Sequence, residues 1–165
     1  MKYFAVSVDS NYVAPVPVGW QGIIDKKTIH RKKVYEMQEH LLFRVESHMQ
    51  TVYTDVITFP CFMVSETVKK VISKYQPFLK YTRVVLLQKE KETSMAYYIP
   101  FLEQAGKGMK NSMGKLLLGR EQTDGRIIAE IQAGDNIRIM MRMDLVEGIL
   151  RRKTVGVGLE EIVLT

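Results

Sequence analysis

Short strand-like segments recur along the whole chain, and they constrain its fold more than any other feature of the sequence. Each is apolar and either alternates with polar residues or is rich in β-branched side chains, as is typical of β-strands. Turn signals such as Asp124-Gly125 separate neighbouring segments. The predicted strands cover residues 3–8, 41–45, 52–58, 83–88, 95–102, 126–131, 137–143 and 159–164.

One stretch between these strands has a clear helical pattern instead. Residues 66–75 follow Ser65, whose hydroxyl can cap a helix, and Val68, Val71 and Ile72 recur on one face. We expect the predicted helix to pack this apolar face against a sheet.

A second helix is predicted near the C-terminus, where Asp144 and Glu147 have the spacing of a capping box. Residues 103–115 are rich in glycine and are predicted to form a loop. We therefore expect a single α+β domain over residues 1–165, with a mostly antiparallel sheet and roughly two or three helices packed on one face.

The composition is typical of a globular protein in a reducing compartment. Hydrophobic residues make up 46% of the chain, enough for a core, and the only cysteine, Cys61, has no intramolecular disulfide partner. No apolar run approaches the ~20 residues that span a bilayer, and the first residues are typical of a strand rather than of a signal peptide. These features predict a cytoplasmic protein that does not enter a membrane.

The formal net charge of +6 favours acidic partners, although the basic residues could also simply be solvated. Nucleic acid is the less favoured partner, because the sequence contains no ribonucleoprotein motif, zinc finger or clear helix-turn-helix. The basic groups comprise Lys26, Lys27, Arg31, Lys32 and Lys33; Lys107, Lys110, Lys115 and Arg120; and Arg151, Arg152 and Lys153.

Catalytic and cofactor motifs are absent from the sequence. The histidines His30, His40 and His48 lack the spacing of metal ligands. Residues 108–115 differ from a phosphate-binding loop, because five residues separate the two glycines and Leu116 follows the lysine. We therefore assign no catalytic residue, metal or cofactor, and we favour a protein that is not an enzyme.

Five residues remain as candidates for binding a partner or a ligand. Among them, the rigid guanidinium groups of paired arginines can grip a carboxylate or a phosphate. Structural alternatives stay open: Asp55 can bond backbone at a strand end, and Glu147 can cap its helix and pair with Arg151 four residues later. The candidates are Asp55, Tyr97, Glu147, Arg151 and Arg152.

Several segments, in their order and spacing, resemble a bacterial family of immunity-like proteins that are often encoded near polymorphic toxins. The resemblance spans roughly residues 50–165 and includes the C-terminal helix with its twin arginines. Residues 104–120 depart from the family, because they are basic and glycine-rich where the family is more acidic. The segments are YTDVITFP (53–60), VSE (64–66), RVVLL (83–87), YYIP (97–100) and DLVEGILRR (144–152), followed by Gly156.

The resemblance implies a small cytoplasmic protein that binds and neutralises a cognate toxin, and it supplies no catalytic residue. A non-enzymatic protein-binding module is therefore the leading hypothesis. A small-ligand or hydrolase-like pocket built from the carboxylate and arginine candidates is the main alternative, and electrostatic binding of nucleic acid is a further one.

Overall fold

The structure is a computed structural model that describes residues 1–31, 36–46 and 48–165. The predicted first strand and the predicted helix at 66–75 are confirmed with the same bounds, whereas Lys32 and Lys33 lie outside the described residues. The strands are β1 (Tyr3–Val8), β2 (His40–Arg44), β3 (Val56–Ile57), β4 (Met63–Ser65), β5 (Tyr81–Gln88), β6 (Thr93–Pro100), β7 (Gln104–Lys110), β8 (Leu116–Leu118), β9 (Ile128–Ala133), β10 (Asn136–Arg142) and β11 (Val157–Leu164). The helices are α1 (Lys26–Arg31), α2 (Glu66–Tyr75), α3 (Arg120–Thr123) and α4 (Met143–Leu150).

Six of these strands close into a barrel in the order β1-β10-β9-β7-β8-β11. Most neighbours are antiparallel, but β7 runs parallel to β9 and β8 runs parallel to β11. Small and large side chains together fill the interior, as is usual in a narrow barrel. The buried residues of this barrel core are Tyr3, Ala5, Leu116, Leu118, Ala129, Ile131, Met140 and Ile162.

The predicted α+β sheet was wrong, because the structure is rich in β and consists of a closed barrel and a second sheet. The physical reason lies in residues 103–115, where the predicted loop instead contains β7. A Cβ on Gly108 would lie 2.8 Å from Leu116 Cδ1 and 3.1 Å from Ile131 Cγ2. Glycine therefore serves here to let neighbouring side chains approach the strand, rather than to mark a loop.

The second sheet has the order β2-β5-β6-β4-β3. The predicted hairpin is confirmed, since β5 and β6 pair from Tyr81↔Pro100 to Gln88↔Thr93. Pro100 ends β6 but does not mark a sheet edge, because β6 lies between β5 and β4. One face of this sheet forms a core of Ile24, Phe43, Val45, Ile57, Cys61, Met63, Val84, Leu86, Tyr97 and Ile99.

The two longer helices begin in different ways. Ser65 is the N-cap of α2, as predicted, and its Oγ accepts a hydrogen bond from Val68 N at 3.3 Å. In contrast, α4 has Arg142 at its N-cap and no side-chain cap, so the predicted capping box of Asp144 and Glu147 is wrong.

A core between α2, α4 and strands of both sheets connects the parts of the fold. The helices approach each other closely at Gly148, where a Cβ would lie 3.1 Å from Val71 Cγ1. Because both sheets contribute to this core, the helices are shared between them. Its buried residues are Val6, Val56, Phe62, Val64, Val68, Val71, Ile72, Ile128, Ile139, Met141, Leu145, Val146 and Ile149.

Candidate protein-binding surface

The Asp55 carboxylate holds two parts of the chain together. Its Oδ1 accepts a hydrogen bond from Ser65 Oγ at 2.6 Å, next to the start of α2. Its Oδ2 accepts one from the main-chain N–H of Val155 at 2.6 Å, in the segment between α4 and β11. Main-chain bonds to the same two residues run beside these contacts. Asp55 therefore has the structural role that the sequence left open.

Tyr97 lies next to this arrangement but is fully buried. Its hydroxyl donates a hydrogen bond to the carbonyl oxygen of Thr54 at 2.7 Å, and burial raises the pKa of the phenol well above its usual range. The structure thus brings Tyr97 close to Asp55, but it directs the polar atoms of both residues toward the protein's own chain.

Glu147, Arg151 and Arg152 form a separate group at the end of α4. Glu147 Oε2 lies 3.8 Å from Arg151 Nη2, which confirms the predicted pair four residues apart. The Arg151 side chain is 80% exposed, and Arg152 Nη1 donates to the carbonyl oxygen of Gly148. Exposed ion pairs of this kind contribute little to stability. Within the described part of the chain, no hydrogen bond or ion pair joins this group to Asp55 or Tyr97.

A closer ion pair, between Arg142 and Asp144, lies at the start of α4, and the sequence did not predict it. Arg142 Nε and Nη2 donate to the two Asp144 oxygens at 2.8 and 2.7 Å. This hydrogen bonding holds the pKa of Asp144 below its ordinary value. Arg142 Nη1 also donates to the carbonyl oxygen of Gly125, so the pair ties α4 to the chain before β9.

The second sheet has one face that the rest of the described chain covers only in part. Its central row is apolar, because Leu42 pairs with Val85 and Val85 with Ala96 on β2, β5 and β6. Leu42 is 67% exposed, although it lies in the middle of a strand. We call this surface the open face and define it by Leu42, Arg44, Arg83, Val85, Leu87 and Ala96.

Alternation along the strands explains why these side chains share a face. Val84 and Leu86 lie in the sheet's core, so Val85 and Leu87 point the other way. Leu41 and Phe43 likewise face that core, which leaves Leu42 opposite them. The sequence alone could not predict this arrangement, because residues 84–87 are apolar on both sides of the strand.

Helix α2 covers the part of the second sheet that lies next to the open face. It packs against β4 and β6, and Lys69 Nζ lies 4.2 Å from the ring centroid of Tyr98 and 5.3 Å from that of Tyr81. These contacts are in the range of cation–π interactions. The row of Leu42, Val85 and Ala96 lies beyond them.

The charges of the open face are all positive. Arg83 and Arg44 lie on β5 and β2 on either side of the apolar row and are exposed. Among the described residues, no carboxylate forms an ion pair with either arginine. An acidic group on a partner could therefore meet two guanidinium groups whose charge is not already compensated.

Metal sites and membrane-spanning helices have little support among the described residues. No three of their His, Cys, Asp or Glu side chains cluster in a way that could hold a metal ion. None of their helices has the length and apolar character that crossing a bilayer requires. A search with protein-family models finds no match to the chain, and a comparison with curated proteins finds none either.

Proposed function

We propose that this protein is a non-enzymatic binding module that recognises an acidic protein through the open face. The observation that carries the proposal is the apolar row of exposed Leu42 and half-buried Val85 and Ala96, with Arg44 and Arg83 beside it. Protein interfaces commonly combine an apolar centre with arginine contacts, and few other surface groups bind as strongly.

The partner's chemistry follows from the same residues. An apolar side chain on the partner would pack on Leu42, while carboxylates beside it would bind Arg44 and Arg83. Because arginine binds a carboxylate through two parallel hydrogen bonds, the contact would fix the partner's orientation as well as attract it.

Neutralisation of a cognate toxin is the specific form of this proposal. It rests on the sequence resemblance to immunity-like proteins, and it places the interaction in the cytoplasm. Binding an acidic patch on a toxin would block that patch sterically, so no catalytic group is needed on this chain.

The alternative of a carboxylate–arginine pocket has less support. Asp55 and Tyr97 use their polar atoms on Ser65, Val155 and Thr54, and the exposed arginines of α4 lie in a separate group. Nucleic-acid binding also has less support, because the apolar row separates the arginines of the open face and provides no aromatic platform for bases.

The proposal predicts a toxin gene beside the gene of this protein, and the test uses the product of that neighbouring gene. We expect it to bind this protein in calorimetry, and we expect co-expression to restore growth. In Leu42→Asp and in the double variant Arg44→Glu/Arg83→Glu, the dissociation constant should rise at least about tenfold, equivalent to ~1.4 kcal/mol.

Lys115→Glu is the matched control, because it reverses an exposed charge on the β7–β8 hairpin of the barrel. It should leave binding and growth rescue unchanged. Equal losses in Lys115→Glu and the open-face variants would refute the open face as the binding surface. A candidate toxin that neither binds nor is neutralised would refute the immunity form of the proposal.

A further inference from the structure

A cavity of about 320 Å³ lies where the barrel meets the second sheet. The barrel contributes residues of β1, β7, β9 and β10, and the second sheet contributes the end of β6 and the segment before β4. Helix α1 supplies a further wall. The volume is near the lower limit of small-molecule sites, which are usually ~300–1,000 Å³. None of the five candidates chosen from the sequence lines this cavity.

The deep part of the cavity is apolar. Val6, Cys61, Phe62, Ile99 and Ile139 line it and are all buried. Burial also raises the pKa of the Cys61 thiol far above its usual range, so Cys61 remains a protonated, apolar wall and not a nucleophile. An aliphatic chain or a small ring would therefore be a suitable occupant.

Charged groups line the cavity as well, and cations exceed anions among them. Lys26, Lys110, Arg138 and Glu130 all contribute to its lining. Arg138 is bound to Glu160, whose carboxylate lies 2.9 Å from the guanidinium. Among the described lining residues this leaves two lysines and one carboxylate, an excess of one positive charge.

We propose that this cavity binds a small amphipathic anion, such as a medium-chain aliphatic carboxylate. Its tail would pack among Cys61, Ile99 and Ile139, and its carboxylate would lie against the ammonium groups of Lys26 and Lys110. Apolar burial supplies affinity, and the charge excess selects an acid over a neutral or cationic analogue of the same length. The site is separate from the open face, so it does not depend on the proposed function.

The protein carries its own reporter for this binding. Trp20 is the only tryptophan, and its ring lies edge-on to the ring of Phe59, with centroids 5.2 Å apart. Phe59 in turn lines the cavity. A ligand that enters should move Phe59 and change the fluorescence of Trp20.

The experiment is a fluorescence titration with octanoate, octanol and octylammonium, which share a chain length and differ in charge. Octanoate should give a saturable change with one site per chain, confirmed by calorimetry. It should bind at least about tenfold more tightly than octylammonium, with octanol between them.

Two pairs of variants locate the bound octanoate. Thr58 lines the cavity and is only half-buried, so Thr58→Phe should fill the space and abolish binding, while Thr58→Ala should retain it. Lys110→Gln should weaken octanoate binding several-fold without affecting octanol, and the nearby Lys115→Gln should change neither. The lysine pair keeps the test decisive even if Thr58→Phe fails to fold.

Three results would overturn the proposal. The first is the absence of saturable octanoate binding, and the second is equal affinity for octanoate and octylammonium. The third is a Thr58→Phe variant that melts like the native protein and still binds octanoate with the same dissociation constant.

Discussion

The barrel and the second sheet use their charged and apolar side chains in different ways. On β10 of the barrel, Arg138 binds Glu160 at 2.9 Å and Arg142 binds Asp144 at 2.7 Å, so charge is compensated within the fold. On the open face of the second sheet, Leu42 is exposed and the arginines have no such partners among the described residues. The comparison shows that both arginines of β10 are paired within the fold, whereas those of the open face keep their charge available at the surface.

Outside the hydrophobic core, the largest expected effect is at Asp55, which links the second sheet to the segment that leads into the barrel strand β11. Asp55→Ala removes the acceptor for Ser65 Oγ and for Val155 N. Hydrogen bonds to charged groups contribute ~1.5–3 kcal/mol each, so the free energy of unfolding should fall by about 3 kcal/mol. Urea denaturation measures this change.

Two further variants sharpen the interpretation of Asp55. Asp55→Asn keeps the shape of the side chain and one acceptor oxygen. It should therefore lower the free energy of unfolding clearly less than Asp55→Ala does. Glu90→Ala, at the exposed turn between β5 and β6, should change stability by less than about 0.5 kcal/mol. If Asp55→Ala were as stable as the native protein, the link between the two parts of the fold would not depend on this carboxylate.

The next largest effect is expected inside the barrel, at Gly108. In Gly108→Ala the new Cβ meets Leu116 and Ile131 side chains, and Leu117 O lies 3.3 Å away. Overpacking of this kind costs ~1–3 kcal/mol, whereas Lys107→Ala on the same strand should stay within about 0.5 kcal/mol. Thermal unfolding of the two variants compares them directly. Equal stability would mean that the barrel is looser at β7 than its geometry indicates.

Gly108 also shows why the sequence predicted some elements and not others. The helix α2 was predictable because its cap and apolar face are local, within residues 65–75. By contrast, β7 is defined by its neighbours β8 and β9, which lie later in the chain. Its glycines make sense only when Leu116 and Ile131 are in place, so no local pattern could predict barrel closure.

The same distinction applies to the candidate sites. The pair of Glu147 and Arg151 was predictable from helix geometry, because residues four apart lie on one face. The sequence left a structural role open for Asp55, but the partner Val155 lies one hundred residues later and could not be predicted locally. The open face required the pairing of Leu42 with Val85, which only the sheet's register reveals.

A smaller effect is expected from the pair of Arg142 and Asp144, and it should depend on pH. The pKa of Asp144 is depressed in the folded state below its ordinary value of 3.8, so its stabilising contribution is complete above that value. The contribution is lost as the pH falls through the folded pKa. Because the Asp144 side chain is 40% exposed, we expect no more than about 1 kcal/mol.

Asp144→Asn tests this linkage. The variant should be less stable than the native protein near pH 7, and the difference should shrink as the pH falls from about 4 toward 2. Guanidinium chloride would screen the pair, so urea is the better denaturant. A difference that stayed constant over this range would show that the carboxylate contributes through packing and not through its charge.

The smallest effect on the free energy of unfolding is expected at Leu42. A small cost there would support the open face as a free surface. Leu42 is 67% exposed, so Leu42→Ala removes little buried surface and should cost less than about 0.5 kcal/mol. Leu86→Ala, on the core side of the same sheet, should cost ~2–5 kcal/mol because Leu86 is fully buried. If Leu42→Ala instead cost as much as Leu86→Ala, some part of this protein would already cover the face, and the surface would not be available to a partner. A near-neutral Leu42→Ala beside a costly Leu86→Ala would support the proposal that Leu42 serves binding rather than folding.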